Sequence, residues 1–521
     1  KRPELYWMLK NLVSFISDKF KIKNDYPEQL STDDIKLKEQ NIDTSLKKNI
    51  ETFERIYFIP DNTDVKIRHL FIPGINKKAA IIYISSIMDT KIIEETVIRP
   101  LQNNQHTTIE ITNIISAESV STAEKIKDAL KEINKGSCAL FIDGEDQVYL
   151  IGAANFQGRS IEKPENEVSL LGPKEAFNEK AMTNISLIRK KIKNENLIIE
   201  ATTISKRSKD ELYIVYVKDL VNEELLKNIK DRLNTIDMDI IQNLSILEQI
   251  IEERPKSIFP TILNTERPDR AAYFLEDGFI VLIMENSPSA LILPATFWSF
   301  FHSADDRYQR FLYANFTRVI RGSALFITIF ISAIYVSVTN YHAEMVPSDL
   351  LLAISATREK VPFPTFIEVL MMESAFELIR EAGLRVPNPI GPTIGIVGAL
   401  ILGQAAVQAN IVSPIVVIVV ALSGLSSFAI GDISMNFAIR IIRFGMIIAG
   451  GVLGIYGMAA IFTIGLFYVV SIKSFGVPYL APMTPKYISS NDTIFRKLTK
   501  NERFRPGYLK PKDVTKKAGD S

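Results

Sequence analysis

The chain has 521 residues, too many for one ordinary hydrophobic core, so two or three domains are expected. Its 61 Lys and Arg against 60 Asp and Glu give a net charge of +1, with no overall basic field suited to nucleic acid. A single cysteine, Cys138, excludes an intramolecular disulfide framework and any zinc site built from two cysteines and two histidines.

The opening "KRPELYWMLKNLVSFISDKF" has its apolar run interrupted by Lys10, which argues against a secretory signal. Residues 1–44 are polar and read as a flexible lead-in. A first α/β subdomain is expected over residues 45–155. "LKKNIETFERIYF" is helix-like, while "VKIRHLFIPG" and "KAAIIYISSI" are strand-like. "STAEKIKDALKEIN" reads as a helix with an Ile126, Leu130, Ile133 stripe. "SCALFID" and "QVYLIGA" flank Asp143-Gly144 as a hairpin. After the polar break "NFQGRSIEKPENE", a second α/β subdomain is expected over 168–285. It begins with the long helix "KEAFNEKAMTNISLIRKKIKN" and continues through strands "NLIIEATTI", "ELYIVYV" and "FIVLIM".

From about residue 286 to 485 the pattern changes to long apolar runs. Val319–Asn340, Ile390–Ala409 and Val412–Gly431 each reach the roughly 20 residues that span a bilayer. Phe444–Ile472 is uncharged but too long for one upright helix, so Gly450 and Gly451 are read as a bend or the turn of a two-armed hairpin. Arg318 and Arg321 put the start of the first span on the cytosolic side, and the basic tail 486–521 belongs there as well. That requires an even number of crossings: six if the stretch Pro362–Pro387 and the hairpin both cross, four if neither does. The fold class is therefore an α/β cytosolic N-terminal region of two subdomains followed by an all-α polytopic membrane domain.

"PFPTFIEVLMMESAFELIREAGLRVP" places Glu373, Glu377 and Glu381 on one helical stripe, with Glu368 well off it. Two readings stand. The helix is interfacial, its carboxylates in water and Glu381 paired with Arg385; or the stripe lines a water-filled path, where a symmetric oligomer would make a negative ring selective for cations. Gly391, Gly395, Ala399 and Gly403 recur every four residues as a ridge for close helix packing, within one subunit or between copies. Gln404 and Gln408 are an amide pair for interhelical bonds or for the same path. Gly450, Gly451, Gly454 and Gly457 offer a second packing surface. Catalytic constellations are absent: "GAANFQGRS" is a poor phosphate loop, and the four histidines lack metal-ligand spacing. No enzyme, cofactor or metal is expected. Asp305 and Asp306 in "HSADDRY" read as the polar end of an interfacial anchor beside Trp298.

"SPSALILPATFWSFFHSADDRYQRF", "VPFPTFIEVLMMESAFELIREAGLRVPNPIG" and "GIVGALILGQAAVQANIVSPIVVIVVALSGLSSFA" resemble the A subunit of the GerA-type spore germination receptors, as do "GPKEAFNEKAMTNISLIRKKI", "ERPDRAAYFLEDG" and "SFGVPYLAP". The resemblance covers about residues 45–485. It implies a spore inner-membrane protein with both termini on the cytosolic side, acting with a permease-like B subunit and a lipoprotein C subunit. It further implies a homo-oligomer forming a ligand-gated channel for monovalent cations. A non-conducting signalling scaffold, and the related SpoVAF-type protein associated with dipicolinate release, are the alternatives.

Overall fold

The computed structural model describes residues 36–104, 111–117, 119–155, 163–385, 391–487, 489 and 493–516, with the side chains of 384, 385, 391–397, 399 and 400 outside that set. Of the lead-in expected to be flexible, residues 1–35 lie outside the described residues, and the remainder is held chiefly at Ile42. Ile42 is buried, its N–H donating to the Glu124 carbonyl at 2.7 Å.

The first subdomain opens on helix α1 (Leu46–Tyr57), whose Phe53 and Tyr57 enter the core, and turns at Phe58 with φ 60°. Strands β1 (Val65–Ile72) and β2 (Lys77–Ile84) pair antiparallel, Val65 opposite Ile84. Then come β3 (Val120–Ala123), α2 (Ile126–Ile133), β4 (Ser137–Ile142) and β5 (Val148–Gly152). The sheet order is β1-β2-β4-β5-β3, every pair antiparallel. The expected hairpin turns at Gly144, whose φ of 85° suits glycine. The helix expected from Ser121 starts only at Ile126, because Ser121 and Thr122 are claimed by pairing with β5.

The second subdomain repeats the topology. Helix α3 (Ala181–Lys191) precedes β6 (Leu197–Thr203), β7 (Glu211–Val217), α4 (Glu223–Asn234), α5 (Leu244–Ile251), β8 (Leu263–Thr265), α6 (Pro268–Glu276), β9 (Ile280–Met284) and β10 (Ala290–Leu293). The order β6-β7-β9-β10-β8 is the first sheet's order again. Two boundaries differ from expectation. Helix α3 is shorter than its sequence pattern, since Asn184 is buried and bonded to the backbone of Asn178, which holds the preceding residues out of the helix. Strand β10 extends this subdomain to Leu293, because Leu291 and Ile292 complete the sheet between β9 and β8. The subdomains are joined by a buried pair, Arg189 Nε 3.0 Å from Asp64, and by Thr63 donating to the Ile199 carbonyl at 2.8 Å.

The remainder is helical: α7 (Phe297–Phe301), α8 (Phe311–Tyr341), α9 (Ser348–Arg358), α10 (Thr365–Arg385), α11 (Gly391–Gln408), α12 (Pro414–Ser427) and α13 (Ile433–Ser471). Among the described residues two of these, α8 and α13, are long and apolar enough to cross a membrane. At about 1.5 Å per residue, 39 straight residues would separate the ends of α13 by nearly 60 Å. Both ends instead meet the second subdomain. Asp432 and Ser434 share a cavity of about 550 Å3 with Asn243, Glu248 and Ser287, while Ser471 accepts from Arg254 at 2.9 Å and Tyr468 donates to Ser257 at 3.1 Å. The chain folds back at Gly454 (φ 63°, ψ −149°), so α13 is a hairpin of arms 433–453 and 455–471. A Cβ on Gly457 would lie 2.6 Å from the Ala449 carbonyl, which shows how tightly the arms cross. The apex is thus three residues beyond Gly451, at the glycine whose backbone no side-chain-bearing residue readily adopts.

The tail is not free. Tyr508 and Leu509 are buried against the second subdomain, Asn222 donates to the Leu509 carbonyl at 3.0 Å, and Lys516 pairs with the buried Asp277 at 2.7 Å.

Candidate functional site

Charged groups gather at two levels of the helical half. The first is inside the bundle. Glu373 and Arg443 are 0% and 1% exposed, with Glu373 Oε2 3.1 Å from Arg443 Nη2. Ser332 on α8 donates to Glu373 Oε1 at 2.7 Å, and Arg443 Nη1 donates to Ser423 on α12 at 3.1 Å. One turn further along α10, Glu377 accepts from Arg443 Nη2 at 2.5 Å and pairs with Arg380 and Arg440. Arg380 also donates to Ser427 at 2.7 Å and to the Gly424 carbonyl at 3.1 Å. The node therefore joins α8, α10, α12 and the first arm of α13 through two carboxylates and three guanidiniums. Unpaired charges would be costly here; paired and bonded ones hold the helices in one register.

Glu368 has a separate role at the other end of α10. It is fully buried, accepts from Arg358 Nε at 3.2 Å, and takes the N–H of Ser413, the residue capping α12, at 2.9 Å. Glu373 and Glu377 turn toward arginines of the same chain, because Arg440 and Arg443 on the first arm of α13 pack beside them; Glu373 is fully buried and Glu377 17% exposed. Glu381 is exposed, and the side chain of its expected partner Arg385 lies outside the described residues. Gln404 and Gln408 are both exposed on α11.

The small residues pack within the subunit wherever they are described. A Cβ on Gly403 would meet Val417 at 3.1 Å, one on Gly450 the Ala333 carbonyl at 2.9 Å, and one on Gly451 the Phe366 ring at 2.3 Å. The same atom on Gly454 would meet His342 at 3.0 Å. The side-chain positions of Gly391, Gly395 and Ala399 lie outside the described residues.

The second level is the junction between the α/β half and α8. Asp305 accepts from Arg267 Nη1 at 3.1 Å and from the Leu170 N–H at 2.8 Å. Its neighbour Asp306 accepts from Arg318 Nε at 3.0 Å and from both terminal nitrogens of Arg321 at 3.1 Å. Burial works against the Asp306 carboxylate, but Arg321 and Arg318 outweigh it and hold its pKa below the usual carboxylate range. Arg496 of the tail donates to the Asp306 carbonyl at 2.6 Å, and the His302 ring meets the Thr493 carbonyl at 2.6 Å. Burial, with Arg318 adding to it, lowers His302 to about 3, so this ring is neutral at physiological pH.

Sequence reasoning singled out Glu373 and Glu377 but not their pairing with Arg440 and Arg443, and it singled out Asp305 and Asp306 without their arginine partners. A signal was present: Arg440 and Arg443 repeat at i, i+3, matching Glu373 and Glu377 at i, i+4. Among the described residues no group of three His, Cys, Asp or Glu is arranged to hold a metal ion.

Residues 53–508 match the family model described as Bacillus/Clostridium GerA spore germination protein. The chain is 39% identical over 491 residues to spore germination protein KA of Bacillus subtilis, covering 92% of this chain and 89% of that one. It is 36% identical over 479 residues to spore germination protein B1 of the same organism, covering 91% and 99%. The crystal structure of the N-terminal domain of the A subunit of the Bacillus megaterium spore germinant receptor GerK3 aligns at 29% identity and a TM-score of 0.39, over 50% of this chain and 98% of that domain. The match reaches past residue 485 into the packed tail, and with it the chain belongs to the GerA family of spore germination proteins, among the receptor A subunits.

Proposed function

We propose that this germinant-receptor subunit crosses the spore inner membrane six times and assembles with further copies of itself around a channel for monovalent cations. The crossings are α8, α10, α11, α12 and the two arms of α13. At 14 residues α12 reaches about 21 Å, so the residues flanking it complete its traverse. Both ends of the hairpin lie beside the second subdomain, which supports N- and C-terminal regions on the same, cytosolic side. A permease-like B subunit and a lipoprotein C subunit are the partners.

The observation that carries the channel reading is the contrast between the two sets of polar groups. Inside the subunit, Glu373 and Glu377 are consumed by arginines, which leaves neither carboxylate to conduct along. On its outer surface the amides Gln404 and Gln408 of α11 are exposed, beside the bare side chains of Ile401 and Leu402. Polar groups on a lipid-facing helix demand water or a protein neighbour. A passage between copies, lined by α10 and α11, supplies both. Glu373 and Glu377 then stiffen its wall from behind.

The test is cation flux from vesicles holding the subunit with its partners. Glu381→Gln, and Gln404→Leu with Gln408→Leu, are expected to lower flux or cation selectivity while assembly survives. Unchanged flux and selectivity in both variants would remove these residues from the pore. The junction at Asp305 and Asp306 favours a second reading, in which the soluble half relays a partner's state and no ion crosses this chain. Protein that never conducts, alone or with partners, supports that reading.

A further inference from the structure

The segment joining the two subdomains leaves Val168, Leu170 and Leu171 69%, 71% and 68% exposed. Three large apolar side chains this bare within four residues are unusual for a surface in water. The segment is also fixed. Ser169 Oγ and the Leu170 N–H both donate to Asp305, and a Cβ on Gly172 would collide with Tyr308 and Arg267. Asp305 and Tyr308 immediately precede α8, whose first turns expose Leu312, Tyr313 and Phe316 at 79%, 56% and 60%. Helix α8 has 31 residues, about 46 Å, which exceeds the hydrocarbon thickness by several turns, so its first turns lie at headgroup depth if its remainder spans. Lys174 and Arg310, both exposed, flank the patch with positive charge.

We infer that residues 168–171 form a membrane-contacting lip, its leucines inserted into the cytosolic headgroup layer of an anionic bilayer beside the base of α8. The occupant is lipid because the patch continues the exposed apolar surface of α8 at that depth and carries cations at its rim. The lip would then fasten the soluble half to the bilayer through the same aspartate that bonds Arg267.

This rests on the reading that α8 crosses a bilayer, and the experiment separates the two. Cys138, the one cysteine of the chain, is fully buried, and burial pushes its thiol up to about 12, so it stays unlabelled. The full chain carrying Leu171→Cys is labelled with an environment-sensitive fluorophore in vesicles of phosphatidylcholine and phosphatidylglycerol. A second protein carries Ile334→Cys, at an exposed mid-α8 position. The Leu171→Cys label should lose about half its emission to lipids spin-labelled near the headgroup, at the shallow depth of interfacial segments, and be shielded from iodide. The Ile334→Cys label should be quenched by deep spin labels. Iodide quenching without lipid quenching at position 171 overturns the lip, as does shielding from both, which would mean a protein neighbour covers it. Loss of deep quenching at position 334 overturns the spanning reading instead.

Discussion

Replacing Arg443 by leucine tests the buried node directly. Glu373, with no exposure, would keep only neutral hydroxyl partners, Ser332 and Ser423, and Glu377 would keep Arg380 and Arg440. Breaking a buried pair by removing one partner costs about 3–5 kcal/mol, most of it the stranded charge. Adding Glu373→Leu removes that charge, and since an apolar pair of similar volume is often no worse than the ion pair, the double variant should regain about 2–3 kcal/mol. For a helical region of this size a loss of 3–5 kcal/mol corresponds to about 6–20 °C in Tm. Arg440→Leu is the control: it is 15% exposed, pairs with Glu377 and lies over the Phe437 ring, and because Glu377 keeps Arg443 and Arg380 it should cost less, about 1–2 kcal/mol. The assay is the temperature at which the protein in lipid nanodiscs loses its size-exclusion peak. A double variant no more stable than Arg443→Leu, or an Arg440→Leu loss of equal size, would refute the assignment.

Gly454→Ala forces a side chain onto a backbone at φ 63° and ψ −149° and against His342, so a loss of about 1–3 kcal/mol is expected in the same assay. Glu248 is pushed up to about 8 by burial, then by Glu252 and Asp432, from an unfolded value of 4.5. The native state therefore holds this proton more tightly, and stability falls as pH rises from about 4.5 to 8; Glu248→Gln should flatten that decline, leaving the variant about 1–2 kcal/mol ahead at high pH in a Tm-against-pH series. Truncation after residue 488 strips Arg496 from the Asp306 carbonyl and uncovers the sites of Tyr508 and Leu509, so limited proteolysis should cut the 302–310 segment faster than in the full chain.

Much of the architecture is legible in the residue pattern because each element buries one face locally. The hairpin at Asp143-Gly144 and α4 behind its Asn222 cap need only turn and capping chemistry. What was not legible depends on residues distant in sequence. Ser121 and Thr122 join a strand because β5 offers an edge 27 residues on, Val148 opposite Ala123 at its start. The hairpin apex falls on Gly454 rather than the more conspicuous Gly450-Gly451 pair, because those two are occupied in packing against Ala333 and Phe366. The repeated strand order of the two subdomains left no trace, since paired strands share burial patterns but not residues. Glu373 and Glu377 were conspicuous as charges in an apolar stretch. Their meaning needed Arg440 and Arg443, 63 to 70 positions away, to be brought beside them.

Helix α8 is the element on which these pieces converge. Arg318 and Arg321 bind Asp306 at its base, Ser332 holds Glu373 about 16 Å further along, and the Tyr341 hydroxyl donates to the Gly451 and Val452 carbonyls at 2.9 Å where the first arm of α13 ends. That base is gripped twice more, by the second subdomain through Arg267 on Asp305 and by the tail through Arg496 on the Asp306 carbonyl. These attachments lie along one continuous helix of 31 residues, so a displacement of its base bears on all of them. Under the proposed topology, a partner acting on the second subdomain would therefore have a packed route along α8 to Ser332 and Glu373.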